Sequence, residues 1–128
     1  MHRSTQALVI LLVEDDESVR RGWTRILHAK YPDIRILEAD SLAAAQHVIR
    51  DEPVVSAAII DGMLRESEGA DVVQWLRSDP RRARMILVAA SGERRLNNLM
   101  VTHGANDFAE KWTAIPTLER LLAESMID

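Results

Sequence analysis

The sequence predicts an α/β fold, a doubly wound five-stranded parallel sheet with helices on both faces, built as a single domain over residues 1–128. Three observations lead there. Residues 7–13, 54–60 and 85–90 are short, mostly apolar runs that end at polar residues, as expected of strands covered on both faces. Between them lie segments whose apolar residues recur at helical spacing. A length of 128 residues with 47% hydrophobic content suffices for one core.

The elements come in order. Residues 7–13 form the first strand, ended by Glu14, Asp15 and Asp16. From Glu17 to about Tyr31, the residues Val19, Trp23, Ile26 and Leu27 make a helical stripe, which Tyr31-Pro32-Asp33 breaks. Residues 34–39 alternate like a short strand, and Ser41 stands as N-cap before a helix over 42–49. The run 54–60 stops at Asp61. After a polar loop, residues 70–77 read as a helix with Val72, Val73 and Leu76 inward, closed by Asp79-Pro80. A strand over 85–90 precedes a helix through Leu96, Leu99 and Met100 that ends near His103-Gly104. A short strand at about 107–109 and a last helix begun by Pro116, with Leu118, Leu121 and Leu122 inward, complete five βα units. Trp23 and Trp75 fall on inward stripes and are expected in the core.

Composition excludes several functions. The run 7–13 is too short to cross a bilayer, and residues 1–6 lack the apolar segment and cleavage site of a signal peptide, so a soluble, cytoplasmic protein without membrane contact is expected. The absence of cysteine removes disulfides and thiolate metal sites, and His2, His28, His47 and His103 have no ligand spacing. A net charge of -4 argues against direct nucleic-acid binding. Arg81, Arg82 and Arg84 are the local exception, read as a solvated connection after Asp79-Pro80.

In an open parallel sheet, ligands bind outside the carboxyl ends of the strands, which directs attention to the residues after Val13, Ile60, Ala90 and Ala109. Glu14, Asp15 and Asp16 come after the first strand, Asp61 after the third, and Lys111 after the last. Carboxylates from neighbouring strand ends repel unless a cation or proton lies between them, so Mg2+ is the expected companion. Lys111 adds a flexible positive charge able to meet a phosphoryl oxygen.

These residues resemble those of two-component response-regulator receiver domains, over nearly the whole chain. Val13-Glu14-Asp15-Asp16 followed by Arg20 is similar to the family's first acidic motif, and Ile59-Ile60-Asp61 to its phosphoacceptor strand end, with Gly69 eight residues on. The run from Gly104 to Lys111 is similar to the family's approach to its lysine. The resemblance implies a flavodoxin-like sheet of order 2-1-3-4-5. It implies a phosphoacceptor at Asp61, a metal site of Glu14, Asp15, Asp61 and the Met63 backbone carbonyl, and an aromatic switch residue at Phe108. The phosphoryl group would come from a sensor histidine kinase or phosphotransfer protein. A downstream output protein or domain, or a homodimer, would read the result. Such a module is not an enzyme beyond its own Mg2+-dependent aspartyl phosphorylation and dephosphorylation.

Departures from the family pattern are specific. The hydroxyl usual at the fourth strand's end falls on Ser91 when counted from Asp61, and on Ala89 when counted back from Lys111. We expect Ser91, because a site without a hydroxyl loses a charge-assisted hydrogen bond, and this requires a shortened segment after it. Trp112 replaces the usual proline after the lysine, so a trans bond is expected at Lys111-Trp112. Arg65 replaces another proline and reads as an exposed loop cation. Trp112 and Phe108 either form an aromatic contact surface or cover the end of the core. Two alternatives compete: a degenerate receiver acting as a phosphorylation-independent interaction module, and a phosphotransfer enzyme resembling haloacid dehalogenases. The second of these needs an Asp where Met63 stands.

Overall fold

The computed structural model describes residues 8–125; residues 1–7, His2 and Ala7 among them, and residues 126–128 lie outside the described residues. Five parallel strands form the sheet: β1 (Val9–Val13), β2 (Arg35–Ala39), β3 (Ala57–Ile60), β6 (Ile86–Ala89) and β7 (Asp107–Phe108). Their order is β2-β1-β3-β6-β7. This is the predicted 2-1-3-4-5 order once a small hairpin, β4 (Met63–Leu64) with β5 (Ser67–Glu68), is set aside.

Period-two alternation along the strands feeds two cores. Leu11, Val13, Ala58, Ile60, Leu87 and Ala89 face α2 (Leu42–Ile49), α3 (Gly69–Arg77) and α4 (Arg94–Thr102). Ile10, Leu12, Ala57, Ile59, Ile86 and Val88 face α1 (Glu17–Lys30) and α5 (Ala114–Ser125). β1, β3 and β6 are therefore apolar throughout because both of their faces are covered, whereas the edge strands β2 and β7 carry Arg35, Glu38 and Asp107. Among the described residues no helix is long and apolar enough to cross a membrane.

Helix starts match their chemistry. Asp16 caps α1 by accepting from Ser18 N and Val19 N, and Ser41 caps α2 by accepting from Ala44 N. Asp79 caps a short 3-10 turn, Pro80–Arg82, where Arg81 pairs back onto Asp79 at 2.9 Å. The arginine cluster begins in that turn, with Arg81 and Arg84 exposed, as a solvated connection should be.

Several boundaries differ from the expectation. The run 54–60 becomes strand only from Ala57, because pairing with β1 begins at Ile10↔Ala57, and Val54 is left exposed. Ile34, Met85, Ala90 and Ala109 are buried just outside their strands, as apolarity alone does not mark where pairing ends. Helix α5 starts at Ala114, two residues ahead of Pro116, which the unpaired N–H groups of a first turn tolerate. Helix α3 starts at Gly69 rather than Ala70. Ile26, expected inward, is half exposed, and Trp75 is only partly buried, whereas Trp23 is in the core.

Candidate functional site

The carboxyl ends of β1 and β3 adjoin in register, since Val13 pairs with Ile60 and Asp61 N donates to Val13 O at 2.9 Å. The residues just beyond these ends are therefore forced together. One carboxylate oxygen from each of Glu14, Asp15 and Asp61 falls in a group lying within 4.8 Å of one another. Glu14 and Asp61 are buried, while Asp15 is exposed and forms the open side. Asp16 has turned away to cap α1, which separates it from the acidic group.

Lys111 closes the site from the last strand. Its Nζ lies 2.9 Å from Glu14 Oε1 and 3.4 Å from Asp61 Oδ2. Burial pushes the Glu14 carboxyl up to about 7, with the Asp61 charge adding to the effect; the Asp16 N–H and Lys111 pull the other way. Partial burial lowers the Lys111 pKa, but its bond to Glu14 and the charges of Asp61 and Glu14 outweigh this and hold it above the ordinary lysine value. Glu14 Oε1 is buried and has no well-formed hydrogen bond among the described residues, its ion-pair contact with Lys111 notwithstanding. A buried oxygen with unused lone pairs beside two further carboxylates is a donor set suited to a hard divalent cation.

The surrounding backbone is held by neighbours. Arg20 donates to Glu14 O at 2.6 Å and pairs with Glu38 at 2.7 Å, fixing the turn that carries the acidic pair. Asp61 Oδ1 accepts from Gly62 N at 2.7 Å, leaving Oδ2 toward Lys111. Gly69 is obligatory by close approach: a Cβ there would stand 2.1 Å from the Asp61 carbonyl oxygen. Met63 opens the β4–β5 hairpin with its side chain exposed.

A family model described as the response regulator receiver domain matches residues 10–123. The chain belongs to the response regulator receiver domain family. Among solved structures, the receiver domain matches a CheY-like receiver protein from Methanospirillum hungatei JF-1 at 18% identity and TM-score 0.78, covering 93% of this chain and 96% of that one. It also matches the phosphorylated cyanobacterial phytochrome response regulator RcpA at 18% identity and TM-score 0.75, covering 91% and 89%. The Mn2+-bound form of response regulator Rcp1 matches at 19% identity and TM-score 0.68, covering 80% of each chain. No match was found among curated proteins.

The receiver's departures can be placed within this geometry. Ala89 is the last residue of β6, paired with Ile60 and buried in the core, whereas Ser91 lies two residues beyond and is also buried. A Cβ on Gly62 would approach Ser91 Oγ to 2.9 Å, so Ser91 packs on the residue next to Asp61. Only Gly92 and Glu93 separate Ser91 from α4.

No described peptide bond is cis, so Lys111-Trp112 is trans as expected. Trp23 Nε1 donates to Lys111 O at 3.0 Å, a tie between α1 and the turn after β7 that sequence spacing does not reveal. Arg65 pairs with Asp40 at 3.2 Å rather than turning to Asp61. Phe108 and Trp112 are both exposed, at 49% and 77%, so neither covers the core. Asn97 was not anticipated either. It is buried in α4 and hydrogen-bonded to Ser91, and its signal in the sequence is a polar residue on an apolar helix face.

Proposed function

We propose that this receiver domain accepts a phosphoryl group on Asp61 from the phosphohistidine of a sensor histidine kinase or phosphotransfer protein, in a two-component phosphorelay. The observation that carries the reading is the convergence of Asp61, Glu14, Asp15 and Lys111 at adjoining strand ends. An Asp61 carboxylate oxygen attacks phosphorus, and the P–N bond breaks with its electron pair returning to the imidazole. Lys111 neutralises charge on a phosphoryl oxygen, and the Ser91 hydroxyl donates to another. Glu14, Asp15, Asp61 and the Met63 carbonyl are the residues that would hold Mg2+. That ion would supply electrostatic stabilisation of the transferring phosphoryl group. Ala89, inside its strand, takes no part, and Phe108 is the aromatic whose placement responds.

The phosphodonor protein must cover the ground beside Asp61. An apolar groove of about 420 Å³ lies between α1 and α5, lined by Val19, Ile26 and Trp112 among others and reaching the site at Lys111. Its exposed aromatic and aliphatic groups suit a protein partner.

Acetyl phosphate with Mg2+ tests the reading. Intact mass should rise by one phosphoryl group, and the gain should vanish in Asp61→Asn and in EDTA. A modification that persists in Asp61→Asn, or none at all in the native chain, would sink it. A second reading, a constitutive interaction module in the cytoplasm, is favoured by the exposed Trp112 beside that groove. It requires partner binding that is equal in Asp61→Asn and native protein.

A further inference from the structure

We infer that Asn97 is a positioning residue that fixes Ser91 and couples it mechanically to helix α4. The inference rests on Asp61 being the phosphoryl site. Ser91 N donates to Asn97 Oδ1 at 2.9 Å, and Asn97 Nδ2 donates to Ser91 O at 3.0 Å. Both residues are buried. Only one orientation of the side-chain amide satisfies both bonds, so the pair has a single geometry.

The cost of this arrangement points to its use. Asn97 lies between Leu96 and Met100 on the face that α4 turns to the protein interior, where an apolar side chain would pack without needing partners. Asn is also a poorer helix former than Leu or Met. What Asn97 provides is a rigid clamp on both backbone polar groups of Ser91. The hydroxyl is oriented as well. Ser91 Oγ accepts from Glu93 N at 3.1 Å, which occupies a lone pair and leaves its O–H to donate. Ser91 also packs against Gly62, the neighbour of Asp61.

With Gly92 and Glu93 as the whole connection, three hydrogen bonds tie Ser91 to the first turn of α4 and the residue before it. A displacement of Ser91 toward a group on Asp61 therefore pulls on α4 directly. The state of Asp61 is read out through α4, with Asn97 as the link.

Beryllofluoride with Mg2+, a phosphoryl mimic, tests this by NMR. Binding is followed at the Gly62 amide, and coupling at the amides of α4 and the Asn97 side-chain NH2. In the native protein all three should shift. In Asn97→Ala, Gly62 should still respond, with affinity weakened by less than about tenfold, while the α4 shifts fall to below about half of native, out of proportion to the lost affinity. An α4 response in Asn97→Ala equal to native would overturn the inference. Should that variant fail to fold, the native protein decides. A Gly62 response with an unmoved Asn97 side chain overturns the coupling alone, and no Gly62 response at all is the failure of the phosphoryl site itself.

Discussion

Replacing Glu14 by Gln should make the metal-free protein more stable at neutral pH, and the gain should depend on pH in a defined direction. Glu14 is wholly buried, and burial raises its carboxyl from 4.5 to about 7. For an acid whose folded pKa is raised, the unfolded chain ionises first, so native stability falls as pH climbs from 4.5 to about 7. At roughly 1.36 kcal/mol per pKa unit, the penalty above that window is about 3 kcal/mol. Lys111, 2.9 Å away, loses a partner in the variant but keeps Asp61 at 3.4 Å. The raised value of about 7 already contains the pull of Lys111, so the net gain should be about 3 kcal/mol. Urea unfolding in EDTA measures it. The two proteins should be nearly equal at about pH 4, below both pKa values, and diverge by about pH 8. Saturating Mg2+ should stabilise the native protein more than the variant, because a ligand that binds only the folded state adds stability by mass action. A gap that does not change with pH, or a variant less stable throughout, would refute the reasoning.

Three further outcomes are expected from the same structure. Gly69→Ala places a Cβ 2.1 Å from the Asp61 carbonyl oxygen, so thermal unfolding should show a loss of about 1 to 3 kcal/mol, and acetyl-phosphate labelling of Asp61 should slow. Trp23→Phe keeps the ring in the core but removes the Nε1 bond to Lys111 O. It should cost about 1 kcal/mol by denaturant titration and reduce the labelling rate. Tyr31 donates a hydrogen bond to Glu119, which also pairs with Lys30 at 2.9 Å. That bond raises Tyr31 to about 12, and it and Lys30 outweigh desolvation to lower Glu119. The Tyr31 share of stability is present below its ordinary pKa and is lost as pH rises toward 12, while the Glu119 share is lost as pH falls through the carboxylate range. Tyr31→Phe should flatten both trends, each well under about 1 kcal/mol at such open positions.

Burial governs how much of this was legible in the sequence. Strands covered on both faces need apolar residues at every position, so β1, β3 and β6 announced themselves, and Glu14, Asp61 and Lys111 were found by their places just beyond strand ends. Strand ends were misjudged where the core continues past the pairing, as at Val55 and Met85, both buried outside strands. The β4–β5 hairpin was missed because its four residues carry no periodicity, and Glu66 within its turn adopts φ 63 without glycine to signal it. Asn97 and Trp23 act through hydrogen bonds to backbone groups six and 88 residues away. No local pattern encodes such contacts.

The loss of proline after Lys111 matters less to the site than the sequence suggests. Proline would stiffen the loop through its own ring, whereas here the stiffening comes from outside it. Residues Lys111–Thr113 form a 3-10 turn in which Thr113 N and Thr113 Oγ1 both donate to Glu110 O, at 3.0 and 3.2 Å. Ala114 anchors the far end in the core, and Trp23 holds the Lys111 carbonyl. These restraints act on residues 110, 111, 113 and 114, and none involves the Trp112 side chain. That side chain is therefore free of any duty in positioning the lysine, and its exposure beside the apolar groove can be altered without disturbing Lys111. Trp112, at the position where the receiver resemblance expects proline, leaves its ring exposed at the edge of that groove.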